Sequence, residues 1–333
     1  MRTESSLTIL IPTKNRPNRL EWCLNHYAKH KFAGQIIVCD ASDDDQSKNI
    51  CDKQQSLQLT YFPCQTYMHG GDAFTFANEL VMTPYVVSHG DDDVLLMQWI
   101  KTAIEFLNSC SGDVVAVGGI RVTRVKLEDG LGIIHTNSIN NLDDDPWIRL
   151  GTYLRLKVTL DNSVHRTKTW KKMYKYAPNM PNRALGCEVL PCCISAINGK
   201  HAFLEEPSIF RLDSGDSLTP PSNDNFMNQM MSQPFLISYQ VMRHAIITEF
   251  RKLGLEDRSV VDFCDRELYL SFLLLLINKF VEKWPTQKVV IDIYCKSLDT
   301  YPFPWRRDEL ADQQDTQQST LDYASVFEEL LCP

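Results

Sequence analysis

Several compositional signatures are missing from this chain, and each absence removes a class of protein. Glycine and proline are sparse, 14 and 16 in 333 residues, which excludes a collagenous or low-complexity chain. None of the 11 cysteines forms a C-x-x-C pair. Cys187, Cys192 and Cys193 cluster with no histidine or second cysteine pair at zinc spacing, so reduced, mostly buried thiols are expected rather than a metal–thiolate centre. No apolar run approaches the ~20 residues that span a bilayer; the longest is Leu273–Ile277 with its neighbours. Polar Met1–Ser6 followed by the short apolar Leu7–Ile11 does not read as a secretory leader. These gaps predict a cytoplasmic protein. Cations are also in deficit, 34 against 42 acidic residues for a net charge of −8. That balance opposes the basic footprint of a nucleic-acid binder, and no nucleic-acid partner is expected.

What is present is an ordinary globular balance, 44% hydrophobic and 23% charged. The length suits about two domains at ~150 residues each. The first part of the chain alternates. Leu7–Ile11, Gln35–Cys39, Leu57–Phe62, Tyr85–Ser88 and Val114–Val117 read as strands. Arg19–Lys31, Asp44–Gln55, Ala73–Met82 and Leu95–Leu107 read as the helices between them. Such βαβ alternation predicts an α/β fold with a mixed, mainly parallel sheet flanked by helices. Ligands of such sheets sit beyond the carboxyl ends of the strands, which marks the loops Pro12–Arg16, Asp40–Asp45 and Gly90–Asp93. Farther on, Ile120–Val125 and Leu131–His135 read as a hairpin, residues 187–199 as a helix and Ser208–Leu212 as a strand. The linker-like Thr219–Asn225 predicts a boundary, with one domain over 1–220 and a mainly helical extension over 221–333. No internal repeat is visible.

Three Asp-Asp-Asp runs occur. Asp43–Asp45 opens a polar helix, where carboxylates favour the positive end of the dipole. Asp143–Asp145 lies in an Asn-rich loop before Pro146 and reads as solvated. Asp91–Asp93 differs because a buried strand leads straight into it. Clustered carboxylates at a ligand edge call for a counter-cation, and hard oxygen ligands suit Mg2+ or Mn2+ shared with a phosphate. The first loop, Pro12-Thr13-Lys14-Asn15-Arg16-Pro17, offers rigid prolines, two cations and hydrogen-bonding groups, but neither the G-x-G-x-x-G fingerprint nor the Walker lysine loop. Asp40, ending the second strand, suits a base N–H or ribose hydroxyl, or equally a turn or cap.

Taken together, the opening Thr8–Pro17, the strand Ile36–Ser42 and the segment Asn78–Asp93 resemble the family 2 glycosyltransferases of the GT-A fold, with similarity running from Leu7 to about Ser217. The resemblance implies that Pro12, Thr13, Asn15, Arg16 and Asp40 hold the nucleotide. It implies that Asp91 and Asp92 lie on its ribose side, and that Asp93 with Asp91 holds the metal–diphosphate. It also orders Cys187-Glu188, Gly199-Lys200 and Phe210-Arg211-Leu212-Asp213 like the family's downstream motif. Glu188 is then the implied general base, with Asp113 and Asp216 as lesser candidates, and Arg211, Asp213 and Asp216 fall on the acceptor or donor-sugar side. Two departures stand out: Asp213 replaces a histidine common in relatives, and the usual Glu-Asp pair is a single glutamate.

The implied activity is inverting, metal-dependent transfer from a nucleoside diphosphate sugar, a UDP-sugar by preference, to a hydroxyl of a glycan or lipid-linked glycan. The setting would be surface-polysaccharide synthesis, with Mn2+ or Mg2+ as cofactor. A cation at Asp93 would stabilise the leaving diphosphate, and a carboxylate on the opposite face would accept the acceptor proton. Rival readings are a sugar nucleotidyltransferase and a sugar-nucleotide-binding subunit without catalysis. The basic run Arg166–Lys175, with Trp170 and Tyr174 inside it, reads as a solvated face or as a mobile loop over the diphosphate or an anionic contact. Peripheral contact at the inner face of the membrane and homo-oligomerisation through the C-terminal helices complete the partner expectations. His89 reads as a packing residue.

Overall fold

The computed structural model describes residues 3–65, 70–127, 130–136, 138–156, 160, 162–212, 232–255 and 260–261. The expected linker, the 220/221 boundary, Asp213, Asp216 and most of the C-terminal extension lie outside these residues. By packing, Met1–Val261 form one compact unit and Asp262–Pro333 a second.

The strands are β1 (Leu7–Thr13), β2 (Gln35–Asp40), β3 (Gln58–Pro63), β4 (Tyr85–Ser88), β5 (Asp93–Leu95), β6 (Val114–Leu127), β7 (Gly130–Thr136), β8 (Val164–Arg166) and β9 (Lys200–Leu212). They form one sheet in the order β3-β2-β1-β4-β8-β6-β9-β5, with β7 paired to β6. The run β3-β2-β1-β4 is parallel throughout. β8 is antiparallel to both β4 and β6, so β6 regains the direction of β4, and β9 follows it in parallel. β5 and β7 run against their neighbours. Among the described residues, six of the nine strands therefore share one direction, as the alternation of the sequence predicts.

β1 is buried along almost its whole length, the mark of a strand covered on both faces. The helices are α1 (Pro17–Lys29), α2 (Gln46–Lys53), α3 (Gly70–Ala77), α4 (Met97–Ser109), α5 (Pro146–Leu156), α6 (Thr167–Met173), α7 (Leu190–Asn198) and α8 (Gln233–Lys252). Leu10, Ile37 and Val86 of the parallel strands pack with Phe74 and Ala77 of α3 and with Trp170, Met173 and Tyr174 in and after α6. α1 contacts α2 and β5, and α4 contacts β6.

Several expectations are corrected here. The strand read as Val114–Val117 and the first arm of the hairpin are one strand, β6, running to Leu127. The three-residue strands β5 and β8 and helix α5 were not expected. Arg166–Lys175 is regular secondary structure rather than a loop, and its cations Lys168 and Lys175 stay on an exposed face. It ends β8 and forms α6, with Trp170 and Tyr174 buried, while the Arg166 guanidinium donates to the carbonyls of Val114 (Nε, 2.8 Å) and Leu107 (Nη2, 2.6 Å). Within the helical stretch expected from Phe226 to Glu282, Gln233–Lys252 is helical. It docks on α7: buried Glu249 accepts from Asn198 Nδ2 at 3.1 Å and pairs with Lys252.

Candidate active site at the carboxyl edge of the sheet

The carboxyl ends of β1, β2 and β4 lie side by side, and the loops that leave them are tied together. Arg16, just past β1, meets the turn after β4: Nη1 stands 2.8 Å from Asp91 Oδ1 and Nη2 donates to Asp92 Oδ2 at 2.8 Å. The Thr13 hydroxyl donates to the other Asp91 oxygen at 2.7 Å. The counter-cation that the sequence argument demanded for these two carboxylates is thus an arginine of the first loop.

Asp93 is set differently. It begins β5 opposite Arg211 of β9, and Arg211 Nε lies 3.4 Å from Asp93 Oδ1. That contact is an ion pair without hydrogen-bond geometry, so Oδ1 is buried with no hydrogen-bond partner. Burial pushes the Asp93 carboxyl up to about 7, against the pull of Arg211. Asp91 is pushed up to about 6, again by burial, against Thr13 and Arg16. A buried, under-compensated carboxylate is the feature a cation site needs. Among the described residues, however, no three His, Cys, Asp or Glu side chains converge to hold a metal alone.

The turn carrying these carboxylates is held from beneath. The Leu95 amide donates to the Tyr27 hydroxyl at 3.0 Å, and that hydroxyl lies 2.7 Å from His89 Nε2. His89 Nδ1 lies 2.8 Å from the Gly90 carbonyl. Only one proton arrangement fits: Nδ1–H donates to the carbonyl and Nε2 accepts from tyrosine. Burial lowers His89 to about 4, which keeps that neutral tautomer. The Cys23 thiol and the Leu212 amide add bonds to the carbonyls of Asp93 and Asp92. A Cβ at Gly90 would stand 2.6 Å from Asp92 Oδ1, so a side chain there would displace the carboxylate that Arg16 holds. His89 is therefore a packing residue with a positioning consequence.

Asp40 is 3% exposed. Its Oδ1 accepts from the Ser42 amide at 2.9 Å and its Oδ2 from the Tyr61 hydroxyl at 2.9 Å. Asn15 sits at φ +54°, where asparagine is tolerated better than most residues. Its side chain exchanges two hydrogen bonds with Asp43, at 2.7 and 2.9 Å, clamping the β1 loop to the β2 loop. Pro12 lies within β1 opposite Cys39.

Glu188 is exposed and lies in a π-helical turn, Leu185–Val189, that runs into α7. Such turns gather at functional sites. This one rests on α3, where the Gly71 amide donates to Cys187 Sγ at 3.1 Å. Asp113 precedes β6 at the amino edge of the sheet and pairs with Lys200 at 2.9 Å. Sequence reasoning passed over Arg121 and Asn162. Arg121 of β6 donates to Asn162 Oδ1 at 2.7 Å, and Asn162 Nδ2 reaches the Ser88 carbonyl at 2.9 Å. The signal was a positive-φ asparagine, which only the fold reveals.

The family model "Glycosyl transferase family 2" matches residues 8–177, about half of the chain. No curated protein matches the sequence. Among solved structures, S. aureus TarS 1–349 in complex with UDP-GlcNAc is 16% identical, with a TM-score of 0.51, covering 83% of this chain and 73% of that one. S. aureus TarS 1–349 alone is also 16% identical, with a TM-score of 0.49 and coverage of 84% and 73%.

Proposed function

The chain belongs to glycosyl transferase family 2, and from that premise we propose that it moves a sugar from a UDP-sugar to a hydroxyl of a glycan or lipid-linked acceptor, inverting the anomeric centre, in surface-polysaccharide synthesis. The observation that carries this reading is the convergence of Thr13, Arg16 and Asp91–Asp93 at the carboxyl edge of β1 and β4. The likeness to S. aureus TarS, whose structure holds UDP-GlcNAc, supports uridine as the base.

In this reading Asp40 and the loop Pro12–Arg16 face the nucleoside, and Asp91 and Asp92 face its ribose. The orphaned Oδ1 of Asp93 fits a divalent cation, Mn2+ or Mg2+, held together with diphosphate oxygens. Bound there, the ion would supply positive charge to the departing diphosphate. Arg211 flanks the same carboxylate from β9 and adds a second positive group on that side. Glu188, on the exposed turn before α7, takes the proton of the attacking hydroxyl. Because attack and departure occur on opposite faces, the two carboxylate sites do different work.

Thermal-shift measurements with UDP test the donor side: stabilisation should be larger with Mn2+ than with chelator. Equal stabilisation removes the metal from the reading. For the base, Glu188→Gln should leave donor affinity near that of the natural chain while transfer falls by ~10²–10⁴-fold. Full transfer by that variant places the base elsewhere, and binding of UDP without any transfer by the natural chain favours a non-catalytic subunit.

A further inference from the structure

A proline shapes the turn that presents Glu188. Arg183 and Ala184 are helical, Leu185–Val189 follow as the π turn, and α7 continues the same helical path from Leu190. Pro191, the second residue of α7, is buried. In an unbroken α-helix its ring would strike the carbonyl of Cys187, four residues back, and it has no amide to bond there. The chain takes a wider path, in which the Leu190 amide donates to the Leu185 carbonyl, five residues back. An α-helix holds 3.6 residues per turn, so one extra residue swings the chain before it by about 100°. The direction of Glu188 relative to α7 therefore depends on this turn staying wide.

The turn is seated from three sides. On its own segment, the Asn182 side chain accepts from the Leu185 amide at 3.1 Å. From α8, the buried Ser238 hydroxyl accepts from the Asn182 amide at 2.8 Å. From α3, the Gly71 amide donates to Cys187 Sγ at 3.1 Å. This last contact is tight. A Cβ on Gly71 would stand 2.9 Å from the Gly186 carbonyl oxygen and 3.1 Å from the Ala177 Cβ, so α3 comes this close only with glycine at that point. The same helix packs Phe74 and Ala77 against Leu10 of β1 and Ile37 of β2. The turn carrying Glu188 is thus fastened, through α3, to the strands that present Thr13 and Asp40.

We propose that Pro191 and Gly71 are positioning residues for the general base: Pro191 holds the turn open, Gly71 seats it on α3, and together they aim the Glu188 carboxylate at the acceptor hydroxyl. The inference rests on Glu188 as the base proposed above. Neither side chain can take up a proton, so each acts only through the placement of that carboxylate. Placement is enough to matter, because misplacing a reacting group by ~1 Å can cost ~10²-fold in rate.

The test uses the full chain with water as the acceptor: UDP release from UDP-GlcNAc in Mn2+, beside UDP affinity by calorimetry. Pro191→Ala lets the turn close to an α-helix, and Gly71→Ala lifts it off α3. Each should slow UDP release by roughly 10- to 100-fold while UDP affinity stays within about twofold of the natural chain. In a Glu188→Gln background neither should slow it further, since all three act through one carboxylate. A natural rate in either variant overturns the role of that residue. Losses that multiply with that of Glu188→Gln, or a loss of UDP affinity as large as the loss of rate, overturn the inference as a whole. A natural rate in Glu188→Gln itself defeats the base reading instead. Alkylation of Cys187 by iodoacetamide, followed by peptide mapping, reads the seat without activity. Both substitutions should speed it about threefold or more by freeing Sγ from the Gly71 amide. An unchanged alkylation rate overturns the seat even if the natural chain releases no UDP.

Discussion

Asp91–Asp93 and Asp143–Asp145 carry the same three side chains, yet arginine meets them in opposite ways. In the first triplet, Arg16 and Arg211 approach the carboxylates, and Asp91 and Asp93 are buried. In the second, Arg149 ignores the carboxylates and donates to the backbone carbonyls of Asp143 and Asp144, at 2.7 and 2.9 Å. The same guanidinium caps the end of α7 through the Ala196 and Ile197 carbonyls, at 2.7 and 2.9 Å, where a cation suits the helix dipole. The carboxylates are left outside; the Asp144 side chain is 94% exposed. Identical side chains thus become a charged site or a surface loop according to whether a buried strand carries them under a neighbouring loop.

The largest break in this comparison is expected from charge removal. Asp93→Asn should lower transfer by at least ~10²–10³-fold, the scale for losing one group that stabilises transition-state charge, whereas Asp144→Asn should leave turnover unchanged. Comparable losses in a sugar-transfer assay would erase the distinction between the triplets. Next in size, Arg149→Ala leaves four carbonyls without their donor, and at ~1–3 kcal/mol for each buried group left unsatisfied the loss should reach at least ~3 kcal/mol in denaturant unfolding. An unchanged unfolding midpoint would show that water replaces the guanidinium.

A pH series sharpens the contrast. The folded chain keeps a proton on Asp93 up to about 7, well above the unfolded value of ~3.9. This proton adds stability at low pH that is lost as pH rises through about 7. In metal-free buffer, Asp93→Asn should therefore gain thermal stability relative to the natural chain between pH 5 and pH 8. A difference that is flat with pH means that the carboxyl is already ionised. The smallest effect belongs to Asp145, whose Oδ1 accepts from the Trp147 amide at 2.8 Å and caps α5. Asp145→Ala should cost about 0.5–2 kcal/mol, with transfer unaffected; a loss of transfer would give the second triplet a role in catalysis.

Much of the nucleotide-side fold was legible because β1, β2 and β4 are apolar runs and helical stretches separate the first four strands. The triplet at Asp91 was legible for the same reason. β5 and β8 were not, since three residues carry no periodicity. The partner of Asp93 was invisible because it depends on β5 pairing with β9, more than a hundred residues away. In Arg166–Lys175 the cations drew attention, but Trp170 and Tyr174 stand four apart, a helical spacing that places both in the core. The role of Asn15 was read as ligand binding, while its clamp on Asp43 depends on a backbone conformation that no pattern announces.

The hydrogen bonds from the Leu95 amide through Tyr27 and His89 to Gly90 have an evolutionary corollary. Each member is donor to the next and acceptor from the last, so the chain runs in only one sense. Replacing Tyr27 alone strands an imidazole nitrogen and an amide; replacing His89 alone strands a hydroxyl proton and a carbonyl. Homologous sequences should therefore keep or lose these two residues together. A covarying pair at positions 27 and 89 would mark the helix after the first strand as part of the inheritance of the acidic turn, although neither residue faces a substrate.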